Sequence, residues 1–145
     1  MTAEAKILPP SLDDFVVLAH EAMDLIPQAL KDFAQDVVIH VTDFPDDDVC
    51  GEMGLESPFD IMGLYHGTAV GEKTIEASGT MPDQVFLYRR PILDYWAETG
   101  EDLRHVVRHV LIHEIGHHFG FSDDDMETLE HQAEAEDQAR DDPSH

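Results

Sequence analysis

The chain has 145 residues, enough for one domain with a buried core. Its 32 acidic and 8 basic residues give a formal net charge of -24, which disfavours nucleic acid and anionic membranes as partners, since both are held mainly through Lys and Arg. A single cysteine, Cys50, excludes an intrachain disulfide, and no apolar run approaches the ~20 residues that span a bilayer. The start of the chain lacks the basic-then-apolar pattern of a secretory signal, so a cytoplasmic location is expected.

Residues 1–10 form a tail, closed by Pro9-Pro10, for which no order is expected. Ser11-Leu12-Asp13-Asp14 reads as a helix start, with Ser11 as N-cap and Asp14 three residues on. Phe15, Leu18, Ala19, Ala22, Leu25 and Ile26 then recur at helical spacing. Pro27 kinks that helix or starts a second short one, in which Leu30, Phe33 and Ala34 continue the stripe. His20 falls on the solvent side. Val37 to Thr42 is a β-branched run that reads as a strand, with His40 as a structural histidine. From Asp43 to Asp60 there are seven acids, two prolines and two glycines, and a loop is expected. Asp46-Asp47-Asp48 lacks the spacing of a calcium-binding EF-hand loop.

Ile61 to Gly67 is a second strand, with Leu64 and His66 on one face and Tyr65 on the other. Turns are expected at Gly71 and from Gly79 to Pro82, then a third strand from Gln84 to Arg89. Pro91 opens a short helix through Ile92, Tyr95 and Trp96, broken at Thr99-Gly100. Glu101 to Phe119 is the long central helix. Leu103, Val106, Val107, Val110 and Leu111 make one apolar face, and Ile112, Ile115 and Phe119 add a second. Met126 to Glu136 reads as helical, anchored by Leu129, and order is expected to end at about residue 139.

The chemistry is concentrated in that central helix. Five of the ten histidines lie between residues 105 and 118. His113-Glu114-Ile115-Gly116-His117 has the H-E-x-x-H form. Residues four apart share a helix face, so His113 and His117 can offer two imidazole nitrogens to one zinc ion. Glu114 lies about 100° round the helix from His113, within reach of a zinc-activated water and suited to be the general base. A catalytic zinc normally takes three protein ligands. Gly120 allows the chain to turn back, and Asp123 falls at the step where H-E-x-x-H-x-x-G-x-x-H places its third ligand. Asp124 and Asp125 follow directly, so the third ligand can shift to either. His105 and His109 continue the four-residue step but lack a following base, and are read as supporting residues; His118 points away from the His113 face. Arg89, Arg90, Arg104 and Arg108 are half of all the basic residues and are read as partners for nearby acids.

His113-Glu114-x-x-His117-His118-Phe119-Gly120 with Asp123, flanked by Gly63-Leu64-Tyr65-His66-Gly67 and Phe86-Leu87-Tyr88-Arg89-Arg90-Pro91-Ile92, resembles the small bacterial zincin-like metallopeptidases, also called minimal metalloprotease-like proteins. The resemblance covers roughly residues 12 to 130. It implies an α+β zincin-like fold: a small mixed β-sheet with an N-terminal helix and a central active-site helix carrying H-E-x-x-H. It implies Zn2+ held by His113, His117 and Asp123, with Glu114 as base. Only 22 residues follow Asp123, fewer than the larger metzincins use for a C-terminal subdomain, so Met126 is not carried over as their Met-turn residue. In zincins an edge strand often aligns the substrate; the strand at 84–89 is the candidate here, with Tyr65 and Tyr88 as candidate substrate contacts.

These readings make a zinc-dependent metallopeptidase acting on peptide or protein substrates the leading expectation. A zinc-binding or interaction module with a degenerate zincin site is the alternative. A small zinc-dependent endoribonuclease is a weaker third, opposed by Glu114 and by the net charge.

Overall fold

A computed structural model describes residues 8–67 and 83–141. The turns expected at Gly71 and at Gly79 to Pro82 lie outside the described residues, as do residues 1–7 and 142–145.

The order of elements is α1 (Leu12–Leu25), α2 (Gln28–Lys31), β1 (Val38–Thr42), α3 (Asp47–Met53), β2 (Gly63–His66), β3 (Gln84–Tyr88), α4 (Arg89–Thr99), α5 (Leu103–His118) and α6 (Asp123–Asp141). This is a mixed α+β fold with an N-terminal helix and a small sheet. The Ser11 box forms as read: the Ser11 hydroxyl accepts from the Asp14 N–H at 3.1 Å, and Asp14 accepts from the Ser11 N–H at 2.8 Å. Ile26 is extended (ψ 145°) because Pro27 follows it, and α1 stops there.

The sheet order is β1-β3-β2, with β1 parallel and β2 antiparallel to β3. The strand expected at a sheet edge is therefore the central one. Both hydrogen-bonding edges of β3 are taken, so it cannot accept an added peptide strand; among the described residues β1 and β2 are the outer strands. Strand order depends on pairings between distant segments, which local residue patterns do not encode.

Val85 and Leu87 point from β3 towards the helices and are fully buried. They join Phe15, Ala19, Leu30, Val107, Leu111 and Ile115 in one apolar core. Burying each of the larger of these side chains contributes about 1.5–3 kcal/mol. Phe33, expected to continue this stripe, is half exposed; it packs instead on Phe119 and Phe121, with ring centroids 5.0 and 5.9 Å away. The opposite sheet face carries His40 stacked on Phe86 at 5.0 Å.

Three further boundaries differ from the sequence reading. The acidic stretch expected to be a loop contains α3: Asp46 caps it by accepting from the Val49 N–H, Asp47 and Asp48 sit in its first turn, and Gly54 ends it at φ 64°. Acids favour that position because a helix N-terminus carries partial positive charge. Helix α4 begins at Arg89, two residues before Pro91; Pro91 sits in the first turn, where its missing N–H has no helical partner to lose. Helix α6 is longer than expected at both ends and continues through Asp141.

Two close approaches set the spacing around α5. A Cβ on Gly63 would lie 2.7 Å from Val110 Cγ1, and one on Gly116 would lie 2.7 Å from Met126 Sδ. Each is well inside ordinary contact. Glycine thus lets β2 close on one side of α5 and α6 on the other.

Candidate metal centre and cleft

Asp102 caps α5 by accepting from the Arg104 N–H at 2.8 Å. Val106, Val107, Val110, Leu111, Ile112 and Ile115 bury most of the helix circumference. His109, His113 and His117 form a single row on the remaining side. The ring centroids of His109 and His113 are 4.0 Å apart, and those of His113 and His117 are 5.8 Å apart. The helix ends at Gly120 (φ 83°). There the Phe121 N–H donates to the Gly116 carbonyl and the Gly120 N–H to the His117 carbonyl. This is a Schellman turn, and it brings the chain back so that α6 runs beside α5.

Asp123 is the first residue of α6. Its Oδ1 lies 3.7 Å from His117 Nε2, and its side chain is 87 % exposed. Asp125 is engaged elsewhere: its carboxylate accepts from the Ser122 N–H, while the Ser122 hydroxyl accepts from the Asp125 N–H. Ser122-x-x-Asp125 is a capping box legible in the sequence, and it argues against a shift of the third ligand to Asp125.

The sequence reading missed a second carboxylate, Glu130. It meets His109 Nδ1 at very short range, and its other oxygen lies 3.5 Å from His113 Nε2. Among the described residues, His109, His113 and Glu130 are the group whose ligand atoms all lie within 4.8 Å of one another; His113, His117 and Asp123 do not converge as closely. The overlooked signal is the stripe Met126, Glu130, Ala133, Asp137 at helical spacing, in which three of the four members are buried. Glu130 occupies the remaining place on the face turned to α5.

Glu114 lines a cleft of about 260 Å3 with His109, Val110 and His113 on one wall and Asp60, Ile61, Met62 and Gly63 on the other. Burial raises the Glu114 pKa; the Tyr65 backbone N–H, donating to its carboxylate, and the nearby His117 partly offset this. Burial also lowers the His113 pKa, assisted by His109 and His117 and opposed by Glu130, which favours the neutral imidazole that a metal requires.

The candidate substrate tyrosines are differently committed. The Tyr65 hydroxyl donates to Asp83 Oδ2 at 2.7 Å and its ring stacks on His118 at 3.9 Å. Burial and Asp83 together raise its pKa. Tyr65 thus meets Glu114 through its backbone, with its side chain held by Asp83 and His118. Tyr88 is buried and lines a separate cleft with Thr42, Phe44, Leu64 and Phe86. Burial, followed by the nearby Asp46, pushes its pKa up to about 12. It is absent from the wall of the Glu114 cleft.

The hydrogen bond that His109 donates to Glu130 raises the His109 pKa above its ordinary 6.5, against the opposing effect of burial. In metal-free protein, Glu130→Gln should return the His109 titration towards 6.5, read from ring proton shifts by NMR. The sign for stability follows: the His109–Glu130 contribution is full below pH 6.5 while Glu130 stays ionised, and is lost as pH rises through the elevated His109 value. An unchanged His109 titration would show that Glu130 does not hold it.

A helix presenting a row of imidazoles beside the Glu130 carboxylate and the half-buried Glu114, packed on a small mixed sheet, makes a candidate metal-binding centre. The sequence belongs to the zincin-like metallopeptidase family, which matches residues 34–133. Among solved structures, it resembles a conserved hypothetical protein from Thermo thermophilus, at 23 % identity and a TM-score of 0.48, over 75 % of this chain and 94 % of that one. A comparison with curated proteins gives no match. No helix among the described residues is long and apolar enough to cross a membrane.

Proposed function

We propose that the chain binds zinc through the α5 histidines and hydrolyses peptide bonds with Glu114 as general base. The donor set fits the metal: His113 and His117 are four residues apart on one helix face, and the Asp123 carboxylate adjoins His117. Bound there, zinc would polarise a peptide carbonyl and acidify a water. Glu114 takes the proton from the attacking water and returns it to the leaving amine. The Tyr65 N–H orients its carboxylate, and burial raises its pKa above the ordinary glutamate value. The observation that carries this reading is the position of Glu114 beside His113 in the wall of an open cleft. Residues 61–63 and the outer strand β2 replace β3 as the segment that aligns a substrate.

A second reading, a zinc-binding or interaction module without turnover, is favoured by a specific observation. The ligand atoms that lie closest together belong to His109, His113 and Glu130, and Asp123 stands exposed. His113 is common to both arrangements. Elemental analysis after zinc reconstitution should therefore find about one metal per chain in the wild type and none in His113→Ala. His117→Ala and Asp123→Ala should lose hydrolysis of a peptide panel. A zinc-loaded wild type that cleaves no peptide would leave the module reading; a wild type that takes up no zinc would end both.

A further inference from the structure

We propose that α5 carries two alternative metal seats that share His113: His113–His117–Asp123, and a second formed by His109, His113 and Glu130. This rests on the reading that α5 binds a metal.

The second seat has its own geometry. His109 and His113 stand one helical turn apart with rings in contact, and Glu130 reaches both from α6 with one oxygen each. Two imidazoles and a carboxylate form a donor set well matched to zinc. Bonds of ~2.0–2.2 Å place the ligand atoms about 3.4 Å apart, so a group already within 4.8 Å closes by side-chain movement alone. Access is open, since His109 is 47 % exposed. The adjoining groove is lined by Glu101, Glu130, Glu134 and His105, together with Arg108, whose charge is paired with Asp137; the three acids favour approach by a cation. Helix α6 is also held firmly there: one turn of chain on either side of Glu130, Met126 and Ala133 are fully buried.

The two seats exclude each other. A neutral imidazole has a lone pair on only one nitrogen, so His113 ligates one ion at a time. The chain therefore holds one zinc that divides between a seat completed by His117 and Asp123 and a seat completed by His109 and Glu130.

The test is equilibrium dialysis of the full chain against Zn2+ alone, with folding followed by far-UV circular dichroism. His109→Ala and His117→Ala should each still bind about one equivalent, because each leaves one seat whole. The double variant should bind roughly a hundredfold or more weakly, since losing a direct ligand exceeds the ~10–100-fold effect of an outer partner. Glu130→Gln combined with His117→Ala should behave like the double variant while leaving both remaining histidines in place. Loss of zinc in His117→Ala alone would overturn the second seat and leave the proposed peptidase centre standing. Loss in His109→Ala alone, with His117→Ala unaffected, would overturn both the sharing and the H-E-x-x-H seat. Two equivalents in the wild type would overturn the exclusion.

Discussion

Asp137→Ala should cost about 3–5 kcal/mol of stability, seen as a lower midpoint in urea denaturation with little change in slope. Asp137 is 6 % exposed and Arg108 only 4 %. Asp137 Oδ2 accepts from Arg108 Nη1 at 3.2 Å, and its Oδ1 accepts from Arg104 Nη2 at 2.9 Å. Removing the carboxylate leaves the Arg108 guanidinium buried without a counter-charge. Arg104 suffers less, being 41 % exposed and 3.9 Å from Glu21. The cost comes from the orphaned charge rather than from the worth of the pair. Replacing Arg108 and Asp137 together by leucine should therefore recover much of the loss. An unchanged midpoint in Asp137→Ala would show that water reaches Arg108.

Glu114→Gln should lower peptide hydrolysis by roughly 10²–10⁴-fold, the usual worth of a general base, while zinc content stays at the wild-type level. Glutamine keeps the side-chain shape and can still accept the Tyr65 N–H, so the change isolates proton transfer from packing. Because burial raises the Glu114 pKa above 4.5, metal-free protein should lose the basic form of Glu114 at a higher pH than an exposed glutamate does, read from carboxyl carbon shifts by NMR. In metal-free protein the raised value also means that the Glu114 contribution to stability is present at low pH and is lost as pH rises through it; the glutamine variant has no such dependence. Hydrolysis retained in a clean preparation of Glu114→Gln would remove Glu114 from the mechanism.

Much of the fold and site is written locally. The Ser11 box, the alternation of Val85 and Leu87 with Phe86 and Tyr88, and the step from His113 to His117 are short-range signals, and each appears where residue spacing puts it. What is not legible depends on distant partners. No pattern within residues 84–88 says that β1 and β2 will flank that strand. Glu130 lies in a run of acids, where its composition is indistinguishable from that of its neighbours. Only its place between Met126 and Ala133 on a buried stripe gives it a role. Asp43–Asp60 misleads for a related reason: acids suggest solvated loop, yet Asp46, Asp47 and Asp48 suit the start of a helix. Tyr65 stands out in the sequence for its hydroxyl, whereas its position beside Glu114 depends on its main chain.

The strand order also bears on how the chain finds its fold. Val38 pairs with Gln84 across a segment more than twice as long as the one between His66 and Gln84. Closing a flexible loop costs about 0.6 kcal/mol more for each doubling of length, and non-local pairing is slow because that entropy is lost before contacts repay it. The antiparallel β2–β3 ladder therefore has the smaller entropic barrier. The parallel β1–β3 ladder, which ties the N-terminal third of the chain to the rest, has the larger one.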